Sequence, residues 1–124
     1  MKIYESAENY LETILMLTKR SGSVRSIDIV NEMNVTKPSV SVAMKQLREN
    51  GYIEMDLQSL ITLTKKGKEI AEKIYEKHIL LKNVFTALGV SEDVAIADAC
   101  KIEHDLSDET ISCIKKYYEE HLEK

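Results

Sequence analysis

The chain's only proline, Pro38, follows Thr36-Lys37 and opens a run that closes on Asn50-Gly51. This punctuation constrains the fold more than any other feature. Thr36 stands where an N-cap side chain belongs, and Pro38 falls in a first turn, where its missing N–H costs little. Asn50-Gly51 is a left-handed stop signal. A helix from Lys37 to about Glu49 is thereby bracketed at both ends. Upstream, Glu5 to Lys19 carries Tyr10, Leu11, Ile14, Leu15, Met16 and Leu17 as a broad apolar stripe and stops at Ser21-Gly22-Ser23. A short helix is expected from Ser26, read as its N-cap, to Met33, with Ile27, Ile29, Val30 and Met33 as apolar positions. Asn34-Val35 supplies a turn.

Two short helices, a tight turn and a third helix start together resemble a helix-turn-helix. The next twelve residues extend it. Tyr52-Ile53-Glu54-Met55 alternates like a strand, Asp56-Leu57-Gln58-Ser59 is a tip, and Leu60-Ile61-Thr62-Leu63 is a second β-leaning run. A hairpin directly after the third helix is a wing. Thr64 then caps a long helix from Lys65 to about Leu88, ending at Gly89. Leu63-Thr64 followed by Gly67 after a wing is a recurrent winged-helix signature. Ile70, Ile74, His78, Leu81, Phe85 and Leu88 are expected on one side of this helix. Ser91-Glu92-Asp93 caps a helix from Val94 to about His104, and Ser107-Asp108-Glu109 one reaching about His121. The predicted fold is mainly α with a small β-wing: a winged helix-turn-helix over residues 1–70 and a helical domain over 71–124.

Of the 124 residues, 44% are hydrophobic and 31% charged, which places the chain among globular proteins. No segment approaches the roughly 18 consecutive apolar residues of a membrane span. Met1-Lys2-Ile3-Tyr4-Glu5 is too soon charged and periodic for a signal peptide. The two cysteines read as thiols of a cytoplasmic protein. Net charge is -4, but residues 1–68 carry +2 and residues 69–124 carry -6. The weakly basic half suits phosphates and the acidic half suits cations, although a solvated surface explains the asymmetry equally well.

Cys100, Glu103 and His104 carry the chemistry. Spacings of three and four residues put them on one helical face. A thiolate, a carboxylate and an imidazole converging there suit a divalent transition metal. The alternative is a buried structural Cys beside a surface Glu and a capping His. His78, alone on the inner side of the long helix, is by itself a core histidine as readily as a ligand. Glu5, Glu8, Asn9 and Glu12 line the first helix and read equally as a solvated acidic turn that complements the helix dipole.

In the third helix Val40, Ala43, Met44 and Leu47 recur at core spacing. Lys37, Pro38, Ser39, Ser41, Val42, Lys45 and Arg48 fall on the opposite face. Small residues near the helix start let it sit deep in a major groove, and the cations reach phosphates. Val42 is either a contact to a thymine methyl or an ordinary exposed valine. Thr36 and Arg25 are counted with this face as candidate DNA contacts.

The chain as a whole resembles the diphtheria toxin repressor and manganese transport regulator family of metal-dependent transcriptional repressors. The resemblance rests on "ENYLETILML", "KPSVSVAMKQLRENGYIE", "LTKKGKEIA", "KHILL" and "ACKIEHDLS". It implies a homodimer that binds a palindromic operator when loaded with Fe²⁺ or Mn²⁺, with Co²⁺ and Zn²⁺ as further candidates. Carried over position by position, it implies Asn9, Glu12, His78, Cys100, Glu103 and His104 as metal ligands. Asn9 replaces a usual Met or Asp with a weaker neutral ligand. Cys100 follows the iron branch, whereas Glu12 and His78 follow the manganese branch. Lys82 and Ile96 stand where the iron branch has the Glu and His of an ancillary site, so that site is expected to be absent. So is that branch's third, SH3-like domain.

These readings converge on a cytoplasmic, divalent-metal-dependent transcriptional repressor of metal-homeostasis genes. Its partners would be double-stranded DNA and a second copy of itself, with no membrane. Two alternatives are a winged-helix protein-interaction module with a structural metal site and a small metalloenzyme. Against the latter, no His-Glu-x-x-His motif or Gly-rich phosphate loop is present.

Overall fold

A computed structural model describes residues 5–123. Residues 1–4, which carry most of the expectation of no signal peptide, lie outside them. The order of elements is Glu5–Ser21 (α1), Ser26–Met33 (α2), Lys37–Glu49 (α3), Ile53–Met55 (β1), Ile61–Leu63 (β2), Lys65–Ala87 (α4), Glu92–Ile102 (α5) and Asp108–Tyr117 (α6). A π-helical turn, Tyr118–Leu122, comes after α6. The fold is a winged helix-turn-helix followed by helices. The chain divides into two compact units, the first ending at Lys73 and the second beginning at Ile74. No helix of the described residues is long and apolar enough to cross a membrane.

The first unit is built on large aliphatic side chains. Leu11, Ile14, Leu15 and Leu17 of α1 are buried, as are Val24, Ile29 of α2, and Val40, Met44 and Leu47 of α3. Tyr52, Ile53, Ile61 and Ala71 complete this core. Thr36 caps α3 by accepting from the Ser39 N–H at 3.2 Å, with Pro38 in the first turn. The cap of α2 differs from expectation. Arg25, not Ser26, occupies the cap position, and the Asp28 carboxylate reaches back to accept from the Arg25 N–H at 2.8 Å. An acid at the third helical position satisfies the cap residue's own N–H, in place of the hydroxyl cap expected from Ser26.

The wing is an antiparallel pair in which Ile53 faces Leu63 and Met55 faces Ile61. The Ile61 N–H donates to the Val24 carbonyl at 2.8 Å, tying β2 to the segment before α2. The Leu63-Thr64-x-x-Gly67 signature has a specific physical basis here. Thr64 Oγ1 donates to the Gly51 carbonyl at 2.7 Å and accepts from the Gly67 N–H at 3.2 Å. A Cβ on Gly67 would stand 2.0 Å from the Tyr52 carbonyl oxygen. Only glycine lets α4 begin this close to the Tyr52 backbone just after α3.

In the second unit Ile74, His78 and Leu81 are buried on α4, and Ala95 and Ala99 on α5. Leu88, expected on the apolar side of α4, is 68% exposed, because the helix ends at Ala87 and Gly89 turns the chain at φ 103°. Ser107 caps α6 by accepting from the Thr110 N–H at 3.2 Å. Lys77 of α4 pairs with Asp108 of α6 at 3.5 Å.

Candidate metal centre and nucleic-acid interface

Two helical stripes of the second unit each carry one ionisable residue. On α5, Ala95 and Ala99 continue four residues later into Glu103, the C-cap, and all three are fully buried. On α4, Ile74 and Leu81 flank His78 at helical spacing. His78 Nδ1 lies 3.0 Å from Glu103 Oε2 and 3.8 Å from Cys100 Sγ. One ligand atom from each of His78, Cys100 and Glu103 lies within 4.8 Å of the others. Cys100 is on the open side, since its residue is exposed while the other two are buried.

The electrostatics of this trio centre on a buried carboxylate. Glu103 is 0% exposed, and a buried carboxylate is costly unless compensated. Its Oε2 has His78. Its Oε1 is buried without a hydrogen bond, although His104 Nε2 lies 3.3 Å away. The His78 pKa is raised to about 10, because Cys100 and then Glu103 hold the imidazolium proton, against burial, which opposes the charge. Nitrogen, sulfur and oxygen donors around an under-satisfied buried carboxylate fit a divalent transition metal.

The grouping differs from the one spacing suggests. His78, Cys100 and Glu103 form the trio, while His104, its side chain 2% exposed, abuts the same carboxylate from its other oxygen. Helix α5 ends at Ile102; Glu103, its C-cap, keeps helical dihedrals and continues the Ala95 and Ala99 stripe, while His104 follows on the turn that leaves it. Spacing alone cannot join His78 to Cys100, because 22 residues separate them. Glu12, on α1, is buried rather than part of a solvated acidic turn, and Asn9 is half-buried. Both belong to the first unit. Lys82 pairs with Glu92 at 3.8 Å, and Ile96 is 37% exposed.

In the first unit, Lys37, Pro38, Ser39, Ser41, Val42, Lys45 and Arg48 are all exposed on α3. Val42 is 58% exposed, opposite the buried Val40, Met44 and Leu47. Thr36 and Ser39 are partly engaged with each other, Thr36 Oγ1 donating to Ser39 Oγ at 2.7 Å. Arg48 Nη1 donates to Met55 Sδ at 3.8 Å, linking α3 to the wing. Arg25 Nε donates to the Gln58 carbonyl at 3.2 Å, so this cation braces the wing tip.

Comparison with known proteins matches both halves. Residues 2–59 match the iron-dependent repressor N-terminal DNA-binding domain, and residues 64–123 match the iron-dependent repressor metal-binding and dimerisation domain. The chain is 32% identical over 117 residues to the transcriptional regulator MntR of Escherichia coli O6:H1, covering 94% of this chain and 76% of that protein. It is 34% identical over 122 residues to an uncharacterized HTH-type transcriptional regulator of Methanocaldococcus jannaschii, covering 97% and 98%. Among solved structures, the manganese regulator SloR superposes with a TM-score of 0.79 at 29% identity, over 96% of this chain and 55% of that one. The chain thus spans about half the length of SloR. The MntR and Methanocaldococcus jannaschii relatives are transcriptional regulators, not enzymes.

Proposed function

From the premise that the chain belongs to the iron-dependent repressor family, we propose that it represses metal-homeostasis genes in the cytoplasm as a homodimer on a palindromic operator, when loaded with Fe²⁺ or Mn²⁺. The observation that carries this reading is the convergence of His78, Cys100 and Glu103, with the buried Glu103 Oε1 left without a hydrogen bond. When bound, a divalent cation would replace the His78 proton as the positive charge facing the Glu103 carboxylate. His78 then serves as a neutral imidazole and Cys100 as a thiolate, with His104 against the second carboxylate oxygen. The thiolate favours softer borderline ions such as Fe²⁺, Co²⁺ or Zn²⁺ over Mn²⁺.

Residues 1–70 are assigned to DNA and 71–124 to metal and dimerisation. Lys37, Lys45 and Arg48 reach phosphates, while Pro38, Ser39, Ser41 and Val42 meet base edges. A two-fold protein suits two half-sites one turn apart. That Asn9 and Glu12 also bind metal rests on the resemblance alone.

Calorimetric titration with Mn²⁺, paired with mobility shifts on the DNA upstream of the chain's own gene, tests the reading. Wild type should bind metal and shift that DNA only when loaded. Glu103→Ala should lose high-affinity metal binding and the shift while staying folded, and Glu12→Ala should lose most of the metal-dependent gain. Unchanged metal affinity in Glu103→Ala would overturn the site, and an equal shift with and without metal would overturn the switch.

A further inference from the structure

Leu57, at the tip of the wing, is the most exposed large apolar side chain among the described residues. Single exposed leucines are ordinary, but this one is presented by a turn with little freedom. Asp56 Oδ1 accepts from the N–H groups of Gln58 and Leu60, each at 2.9 Å. The Asp56 carbonyl accepts from the Ser59 N–H at 3.0 Å, and the Asp56 N–H donates to the Leu60 carbonyl at 3.1 Å. Ser59 takes a left-handed φ of 63° to close the turn. Arg25 then clamps the Gln58 carbonyl from outside. This pins the backbone on both sides of Leu57 while its side chain stands off the protein.

The wing's charge decides what kind of contact it can make. From Tyr52 to Leu63 there is no Lys or Arg, and two acids, Glu54 and Asp56. A grip on phosphates is therefore not available to the wing itself. The Asp56 carboxylate is occupied by backbone amides, and Arg25 places a cation against the tip, which limits the repulsion. The tip falls within the stretch that matches a DNA-binding domain, and Arg48 of α3 reaches Met55 of β1. The wing is thus continuous with the α3 surface.

We infer that the wing contacts DNA through Leu57, an apolar side chain lodged in the minor groove beside the major groove occupied by α3, with Arg25 as the positioning residue. Apolar wedges of this kind read groove width and deformability rather than base edges. The inference rests on the DNA-binding reading above and extends it to a residue that a search for basic or hydrogen-bonding contacts passes over.

The test uses the Mn²⁺-loaded chain and a duplex selected by it from a random-sequence pool. Hydroxyl-radical cleavage reports minor-groove sugars, and dimethyl sulfate reports guanine N7 in the major groove. Leu57→Ala should bind about tenfold more weakly, as expected for losing a buried leucine side chain. It should also lose the minor-groove protection flanking the α3 site, keep the guanine protection and leave the salt slope unchanged. Leu57→Lys should raise the salt slope by about one. Arg25→Ala should blur the same minor-groove protection. Wild-type affinity and footprint in Leu57→Ala would overturn the inference. So would a change of oligomeric state in that variant with its footprint intact, which would assign Leu57 to a protein contact. If wild type gives no metal-dependent footprint on any selected duplex, it is the DNA-binding reading that fails, and this inference with it.

Discussion

The two units bury very different things. Among the described residues, the first buries thirteen apolar side chains, most of them large, with Glu12 as its one buried acid. The second buries four, two of them alanines, together with His78 and Glu103. Helix α6 buries none of its residues, although Ile111 and Ile114 are half-covered. At roughly 1.5–3 kcal/mol per large side chain fully buried, the first unit has the material of an independent core and the second does not. On the proposed reading, a region so built depends on what is added to it: a cation at Glu103 and a second copy of the chain. Stability that comes from the ligand is what a switch requires, because an effector shifts only an equilibrium to which it contributes.

The largest expected effect would break this contrast from the side of the first unit. Ile14→Ala removes a fully buried side chain and should cost about 2–5 kcal/mol, read as a fall in the urea midpoint of the DNA-binding unit. A loss below about 1 kcal/mol, outside the usual range for such a truncation, would mean that this core is no better packed than the other.

Metal removal should produce the next largest effect, and on the other side. At Mn²⁺ a hundredfold above its dissociation constant, the loaded state gains about 2.7 kcal/mol. Hydrogen exchange should show this as added protection concentrated in α4 beyond Ile74 and in α5. Protection spread evenly over both units would contradict a ligand-dependent second unit.

Proton linkage comes third. Without metal, His78 has a folded pKa raised to about 10 by Cys100 and Glu103, against an ordinary value near 6.5. A raised pKa stabilises the fold fully below about pH 6.5, and that contribution is lost as pH rises through about 10. The metal-free chain should therefore lose stability between those limits. NMR titration of the His78 ring should show a transition near 10 that disappears on metal binding, because the ion and the proton compete for the same nitrogen. A midpoint close to the ordinary histidine value in the metal-free chain would show that the Cys100 and Glu103 contacts do not hold the proton.

The smallest effect compares two helix caps. Thr36→Ala removes a side chain that caps α3 and should cost about 1 kcal/mol. Ser91→Ala, at a cap with no side-chain hydrogen bond, should cost a few tenths at most. Equal losses in thermal unfolding would show that cap position alone, not the bond, sets the cost.

The same contrast explains what can be read from the sequence. In the first unit, Thr36, Pro38, Asn50-Gly51 and Thr64 act on their immediate neighbours, so α3 and the hairpin are legible in order and in extent. The Arg25–Asp28 cap escapes such a reading because a hydroxyl at Ser26 looks the better acceptor, although an acid three residues beyond the cap position is a visible signal. In the second unit, the i, i+3 and i+4 relation around the end of α5 is legible. The approach of His78 to Cys100 is not, since it depends on how α4 and α5 pack, and only the family resemblance supplies it. The exposure of Leu88 and the π-helical turn after Tyr117 depend on where helices stop, which periodicity does not fix. The role of Arg25 at the wing tip has no local sequence signal, because its partner is a backbone carbonyl 33 positions away.

Glu103 continues the stripe of Ala95 and Ala99 into the interior, and this has a consequence for how the chain can drift. Folding alone would be as well served by an apolar residue there, since replacing a buried ion pair by well-packed hydrophobic groups is often neutral or stabilising. A substitution such as Glu103→Met, accompanied by an apolar residue at His78, would give a descendant that keeps the second unit's shape and loses its response to metal. If Glu103 holds metal as proposed, selection must keep this carboxylate against a change that the fold itself would tolerate, and lineages released from metal control should lose Glu103 before they lose Ala95 or Ala99.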